Sequence, residues 1–172
     1  YKIKTQPFFA NFSGTGSGKT LSAILASHTI KSKITLVVCP NATVMQWGKI
    51  LGKRFGDENI YIKKDIFNFK PSENPQFLVV NWELLQQDYP ESHFAELLKN
   101  KIDFVILDEV HLVKIRRIKQ DKSKNPDKSK NPDKSKNPDK SKNPDKSKRR
   151  DLTEQILFTI KEKNPDFRLL FM

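Results

Sequence analysis

Apolar positions alternate between short continuous runs and helix-spaced stripes from one end of the chain to the other. "PFFANF" (7–12) is a compact run that predicts a buried strand. From Lys19, the spacing of Leu21, Ile24, Leu25 and His28 places them on one helical face. "ITLVVC" (34–39) is apolar almost throughout, as strands covered on both faces tend to be. Val44, Trp47, Ile50 and Leu51 mark a second helix, and "NIYI" (59–62) and "FLVV" (77–80) predict two more strands. Phe94, Leu97 and Leu98 mark a short helix after Pro90, and "IDFVILDE" (102–109) is the most strand-like block of all. Asp151 with Glu154 three residues on resembles a capping box, opening a helix through Leu152, Ile156, Thr159 and Ile160 that "NP" (164–165) stops. "FRLLFM" (167–172) is a last strand. Strand–helix alternation at this pitch predicts an α/β fold with a parallel sheet flanked by helices.

One segment does not share the pattern. DKSKNP recurs four times between Asp121 and Pro144 and trails off in "DKSK" (145–148). With only prolines as nonpolar side chains, residues 119–150 cannot offset the entropy of ordering, which predicts a disordered low-complexity insertion in a domain spanning 1–172. The insertion also changes the meaning of the net charge of +12: residues 113–150 hold 16 Lys/Arg against 5 Asp/Glu. Elsewhere 16 positive charges meet 15 negative ones, so the body of the domain is nearly neutral and its basicity alone identifies no binding face. The repeat reads either as a spacer or as a basic arm beside nucleic acid. No apolar run reaches membrane-spanning length, no signal peptide is visible, and Cys39 is the only cysteine. The expected setting is intracellular without a membrane partner, leaving nuclear, cytoplasmic and viral locations open.

The candidate chemistry lies between the strands. "SGTGSGKT", comprising Ser13, Gly14, Thr15, Gly16, Ser17, Gly18, Lys19 and Thr20, stands between a strand and a helix. That is the context in which a glycine-rich turn binds phosphate: backbone N–H groups point inward and a helix N-terminus favours the negative charge. Lys19 is expected to reach the β/γ-phosphates of ATP and the Thr20 hydroxyl to hold magnesium. The generic pattern has glycine where this chain has Ser13. "FVILDEVH" supplies the second half of such a site, with Asp108 expected to hold magnesium through its water shell and Glu109 to polarise the attacking water. Trp47 reads as a helix-face core residue and Cys39 as a small buried one.

The S-x-T-G-S-G-K-T loop resembles motif I of superfamily 2 helicases, in which the first position is often not glycine. "DEVH" (108–111) resembles their DExH box. "VVCPNATVMQW" (37–47) and "VVNWELL" (79–85) are similar to motifs Ia and Ib of Swi/Snf-type DNA translocases. The resemblance implies the first RecA-like lobe of a nucleic-acid-dependent ATPase that couples hydrolysis to translocation on, or remodelling of, double-stranded DNA. It also implies that a second RecA-like lobe supplies an arginine finger, and that His111 couples the ATP site to motif III. Contacts to nucleic acid would come from Pro40, Asn41, Asn81 and Trp82. An adenine-contacting glutamine motif is missing, since Gln6 lies too close to motif I, and Trp82 and Val110 depart from the commoner residues. Three alternatives stay open: a DExH RNA helicase lobe, a restriction-type motor lobe, or a catalytically inert nucleotide-binding fragment.

Overall fold

The structure is a computed structural model that describes residues 2–14, 16–84, 97–98, 100–113 and 146–172. Six parallel strands form its sheet: β1 (Phe8–Ala10), β2 (Ile34–Cys39), β3 (Ile60–Ile62), β4 (Gln76–Asn81), β5 (Phe104–Leu107) and β6 (Arg168–Phe171). Their spatial order is β1-β6-β5-β2-β4-β3. Every pairing is parallel, from Phe8 opposite Leu169 at one edge to Ile60 opposite Phe77 near the other. All six strands therefore release their C-terminal ends along one edge of the sheet, where ligands of open α/β sheets bind.

The continuous apolar runs are the central strands, because both faces of the sheet are covered. Every residue of β2 and β5 is buried. Ile34, Leu36 and Val38 point into one core layer, with Leu78, Val80, Val105 and Leu107 beside them. Val37 and Cys39 alternate into the other, with Phe77, Val79, Phe104 and Ile106. Helices α1 (Lys19–Thr29) and α2 (Val44–Phe55) cover the second layer, and α3 (Lys146–Lys163) covers the first through Ile156 and Ile160.

Three expectations are corrected. β1, read from "PFFANF" as a buried strand, is a largely exposed edge strand: Phe8 is 49% exposed and Phe12 beyond it 74%, because an edge strand has a neighbour on one side only. Helix α1 buries Ala23, Ile24, Ala26 and Ser27, whereas Leu21 is 58% and Leu25 48% exposed. The buried face thus combines Ile24 with small residues, and the two leucines of the expected stripe lie off it. Helix α3 begins at Lys146, five residues before the expected capping box at Asp151, and takes in the tail of the repeat. No proline or glycine follows Pro144 until the helix ends, and Lys and Arg propagate helices well. Its stop is as expected: the Asn164 main-chain N–H donates to Ile160, and its side chain donates to the Ile102 carbonyl.

Strand positions match the sequence reading to within one or two residues at each end. Residues 114–145, which hold the DKSKNP units, lie outside the described residues, as do Phe94 and most of the helix expected around it. Leu97 and Leu98 are described and buried in the α3 layer.

Candidate active site

The glycine-rich loop leaves β1 through Asn11, whose N–H donates to the Phe171 carbonyl at 2.8 Å. Gly16 (φ 77°) and Gly18 (φ 81°) occupy the left-handed region that side chains disfavour, and Gly18 is the residue before α1. A Cβ placed on Gly14, Gly16 or Gly18 would meet nothing within 4 Å. Glycine at 16 and 18 thus serves backbone conformation, and the loop faces open space. Thr15 lies outside the described residues.

Ser13 is the hub of this loop. Its hydroxyl donates to Asn11 Oδ1 at 2.6 Å and accepts from the Ser17 hydroxyl at 2.8 Å. The residue that departs from the generic pattern therefore links the strand end to the far side of the turn, a role its identity alone did not announce. The Lys19 ammonium donates to the Ser13 and Gly14 carbonyls at 2.9 and 3.1 Å, folding back over the loop. Thr20 follows in the first turn of α1.

Two strands away in the sheet, Asp108 follows the end of β5. Its N–H donates to the Val38 carbonyl at 2.8 Å, continuing the sheet by one residue. Its carboxylate is half-buried and accepts from Trp47 Nε1 at 3.0 Å. Its main-chain carbonyl accepts from Trp82 Nε1 at 3.1 Å. Burial pushes the Asp108 carboxyl above its ordinary value; the Trp47 hydrogen bond and the Lys19 charge oppose the shift, while the Glu109 charge adds to it. The loop after β1 and the strand end after β5 leave the same edge of the parallel sheet, with β6 between them.

Glu109 has φ 54°, left-handed backbone for a residue with a side chain, a kind of strain that clusters at functional sites. Its Oε2 lies 2.9 Å from His111 Nδ1, and both side chains are exposed. The end of β6 joins the halves: Phe171 accepts from Asn11, Met172 N–H donates to Leu107, and the Met172 carbonyl accepts from Val110.

The residues expected to touch nucleic acid divide. Asn41 is exposed beyond β2, and the Pro40 carbonyl accepts from both the N–H and the hydroxyl of Thr43. Asn81 ends β4 and donates to Glu83 Oε2 at 2.8 Å. Trp82 is only 1% exposed and packs in the α3 layer, so its ring cannot serve the surface contact expected of it. A tryptophan after a strand is equally compatible with surface stacking and with core, and only packing decides. Trp47, read as core, is 2% exposed; its bond to the Asp108 carboxylate is what sequence reasoning missed.

The oxygen ligands suit magnesium: a hard cation takes carboxylate and hydroxyl oxygens and completes its shell with water and phosphate. Asp108 and Thr20 are of that chemistry, and the open space over the loop glycines is where phosphates would complete it.

A parallel sheet carrying a phosphate-loop sequence and a DExH strand end on one edge defines the first RecA-like lobe of a superfamily 2 helicase-type protein. Residues 12–129 match the family described as Type III restriction enzyme, res subunit, and the chain belongs to that family. Among solved structures it is similar to the Sulfolobus solfataricus SWI2/SNF2 ATPase core in complex with dsDNA, at 16% identity and a TM-score of 0.57. That likeness, one of fold, covers 99% of this chain and 28% of the other. A search of curated proteins returns no match.

Proposed function

We propose that this chain is the ATP-binding lobe of a double-stranded-DNA-dependent ATPase that couples hydrolysis to movement along, or remodelling of, DNA. The observation that carries the reading is the placing of the phosphate-loop sequence and the Asp108–Glu109 strand end on one sheet edge, joined through the end of β6. The restriction-enzyme family and a structural neighbour described with dsDNA both support DNA over RNA. The chain spans 28% of that neighbour's length, and a second RecA-like lobe of the full protein is part of the proposal.

Magnesium-bound ATP would supply the scissile phosphoanhydride and its charge neutralisation. Lys19 exchanges its two carbonyl partners for phosphate oxygens, and the N–H groups of the loop and of the α1 start hold the same charge. Thr20 and Asp108 would hold the metal side. Glu109 would orient the attacking water, and His111, 2.9 Å from it, would couple that carboxylate to motif III of the full protein. Pro40, Asn41 and Asn81 flank the DNA path. The second lobe supplies an arginine finger, a group typically worth about 10³–10⁵ in rate, so the chain alone turns over slowly.

Titration of magnesium-ATP against wild type and Lys19→Ala tests the site. The variant should bind roughly 10- to 100-fold more weakly, the worth of hydrogen bonds to a charged group. Equal affinity overturns the proposal. Strong stimulation of hydrolysis by duplex DNA without a second lobe would overturn the two-lobe mechanism.

A further inference from the structure

Asp108 is gripped by two indoles that reach it from opposite sides of the sheet. Trp47 belongs to the layer under α1 and α2, and Trp82 to the layer under α3. A buried indole N–H requires an acceptor, and strand-end carbonyls are plentiful at this edge. Both nevertheless converge on one residue, and they do different things there. Trp82 binds the main-chain carbonyl and holds the backbone. Trp47 binds Oδ2 of the side chain. With its ring locked in the core, Trp47 fixes the rotation of the carboxylate and leaves Oδ1 as the oxygen without that claim on it.

The position of Trp47 is set in turn by the segment after β2. Its N–H donates to the Thr43 carbonyl at 2.9 Å, and the Thr43 N–H and hydroxyl both donate to Pro40, at 2.9 and 3.0 Å. One helical turn therefore separates the exposed Pro40–Asn41 turn from the group that holds Asp108.

We propose that Trp47 is a positioning residue for Asp108: it presents Oδ1 to the metal's water shell and ties the carboxylate to the Pro40–Asn41 turn. This rests on the reading of Asp108 as the metal-side carboxylate. A displacement of that turn moves the start of α2, and Trp47 carries the movement to the carboxylate.

The chain has two tryptophans, so its ¹⁵N–¹H spectrum holds two indole N–H signals, assigned by Trp47→Phe and Trp82→Phe. Asp108→Asn removes the acceptor's charge at nearly constant size. The Trp47 signal should shift upfield in that variant, whereas the Trp82 signal, bonded to a main-chain carbonyl, should move little. Manganese binding in the presence of ADP, followed by electron paramagnetic resonance, gives the second readout. Trp47→Phe should weaken it about 10-fold, the usual loss when the partner of a metal ligand is removed. ADP affinity in excess EDTA should stay as in wild type. A Trp47 signal indifferent to Asp108→Asn overturns the proposal, as does unchanged manganese affinity in Trp47→Phe. If Trp47→Phe does not fold, the Asp108→Asn spectrum decides alone. If wild type with ADP takes up no manganese, the metal-site reading fails, and the spectrum still decides whether Trp47 grips Asp108.

Discussion

The phosphate loop and the Asp108 strand end leave one edge of the sheet on either side of β6, yet different forces hold them there. The described residues of loop 11–18 are mostly exposed, shaped by two left-handed glycines and joined by side-chain bonds from Ser17 to Ser13 and from Ser13 to Asn11. Asp108 is held by the sheet, by two fully buried indoles and by both core layers. The first half can adjust to a ligand because little packing depends on it. The second is rigid because moving it would disturb the core, which suits a carboxylate that must present an oxygen at a fixed place.

The contrast is open to attack by substitution, beginning with the largest effect. Trp82→Ala should cost about 3–5 kcal/mol of stability in urea unfolding, the usual loss for an aromatic removed from a packed core. A loss below about 1 kcal/mol would mean that the Asp108 side is no better packed than an ordinary surface.

Cys39, beside the same strand ends, gives a pH signature. Burial pushes its thiol up from the ordinary 9.0 to about 12. Between those values the unfolded chain has released the proton while the folded one retains it. Stability should therefore be unaffected by this group below its ordinary value, then fall by about 1.4 kcal/mol per pH unit as pH rises through the window. The stability gap between wild type and Cys39→Ala, measured at several pH values, should narrow over that range. A constant gap would show that Cys39 is not held neutral by burial.

Asp108→Asn has the opposite sign from most core-adjacent changes. The folded state raises the Asp108 pKa, so the charged form present at neutral pH is penalised by folding. Neutralising it should raise stability, as removing a functional group that folding penalises commonly does. Urea unfolding at pH 7 measures it, and a destabilised variant would show that the charge itself holds the strand end together.

The smallest effect belongs to the loop. Lys19→Ala removes bonds to two exposed carbonyls and should leave stability within about 0.5 kcal/mol of wild type. Marked destabilisation by the same measurement would remove the contrast between the two halves.

Much of this architecture was legible in the residues. The runs at 34–39 and 77–80 read as buried strands because a sheet covered on both faces admits no polar alternation. The loop was legible for a related reason: glycine at 16 and 18 meets a backbone demand that few residues satisfy, so chemistry and identity coincide. Helix α1 turns a different face inward than its large apolar residues mark: Ala23, Ile24 and Ala26 are buried while Leu21 and Leu25 stay exposed, a choice that packing against the core makes and spacing alone does not show. The start of α3 was misplaced because a capping-box pattern is common and nothing in the repeat's tail breaks a helix.

By itself, then, the sequence determined the strand set, the parallel class of the sheet, and the residues of the loop and of the Asp-Glu strand end. These follow from local periodicity and from residue types with few alternative uses. Tertiary structure alone decided that Trp82 lies in the core and not on a binding face, that Trp47 and Trp82 meet at Asp108 from opposite layers, and that Ser13 bridges Asn11 to Ser17. An indole N–H accepts any well-placed oxygen, and a serine hydroxyl any donor or acceptor in reach. Which partner each one finds depends on how strands far apart in the chain are brought to one edge.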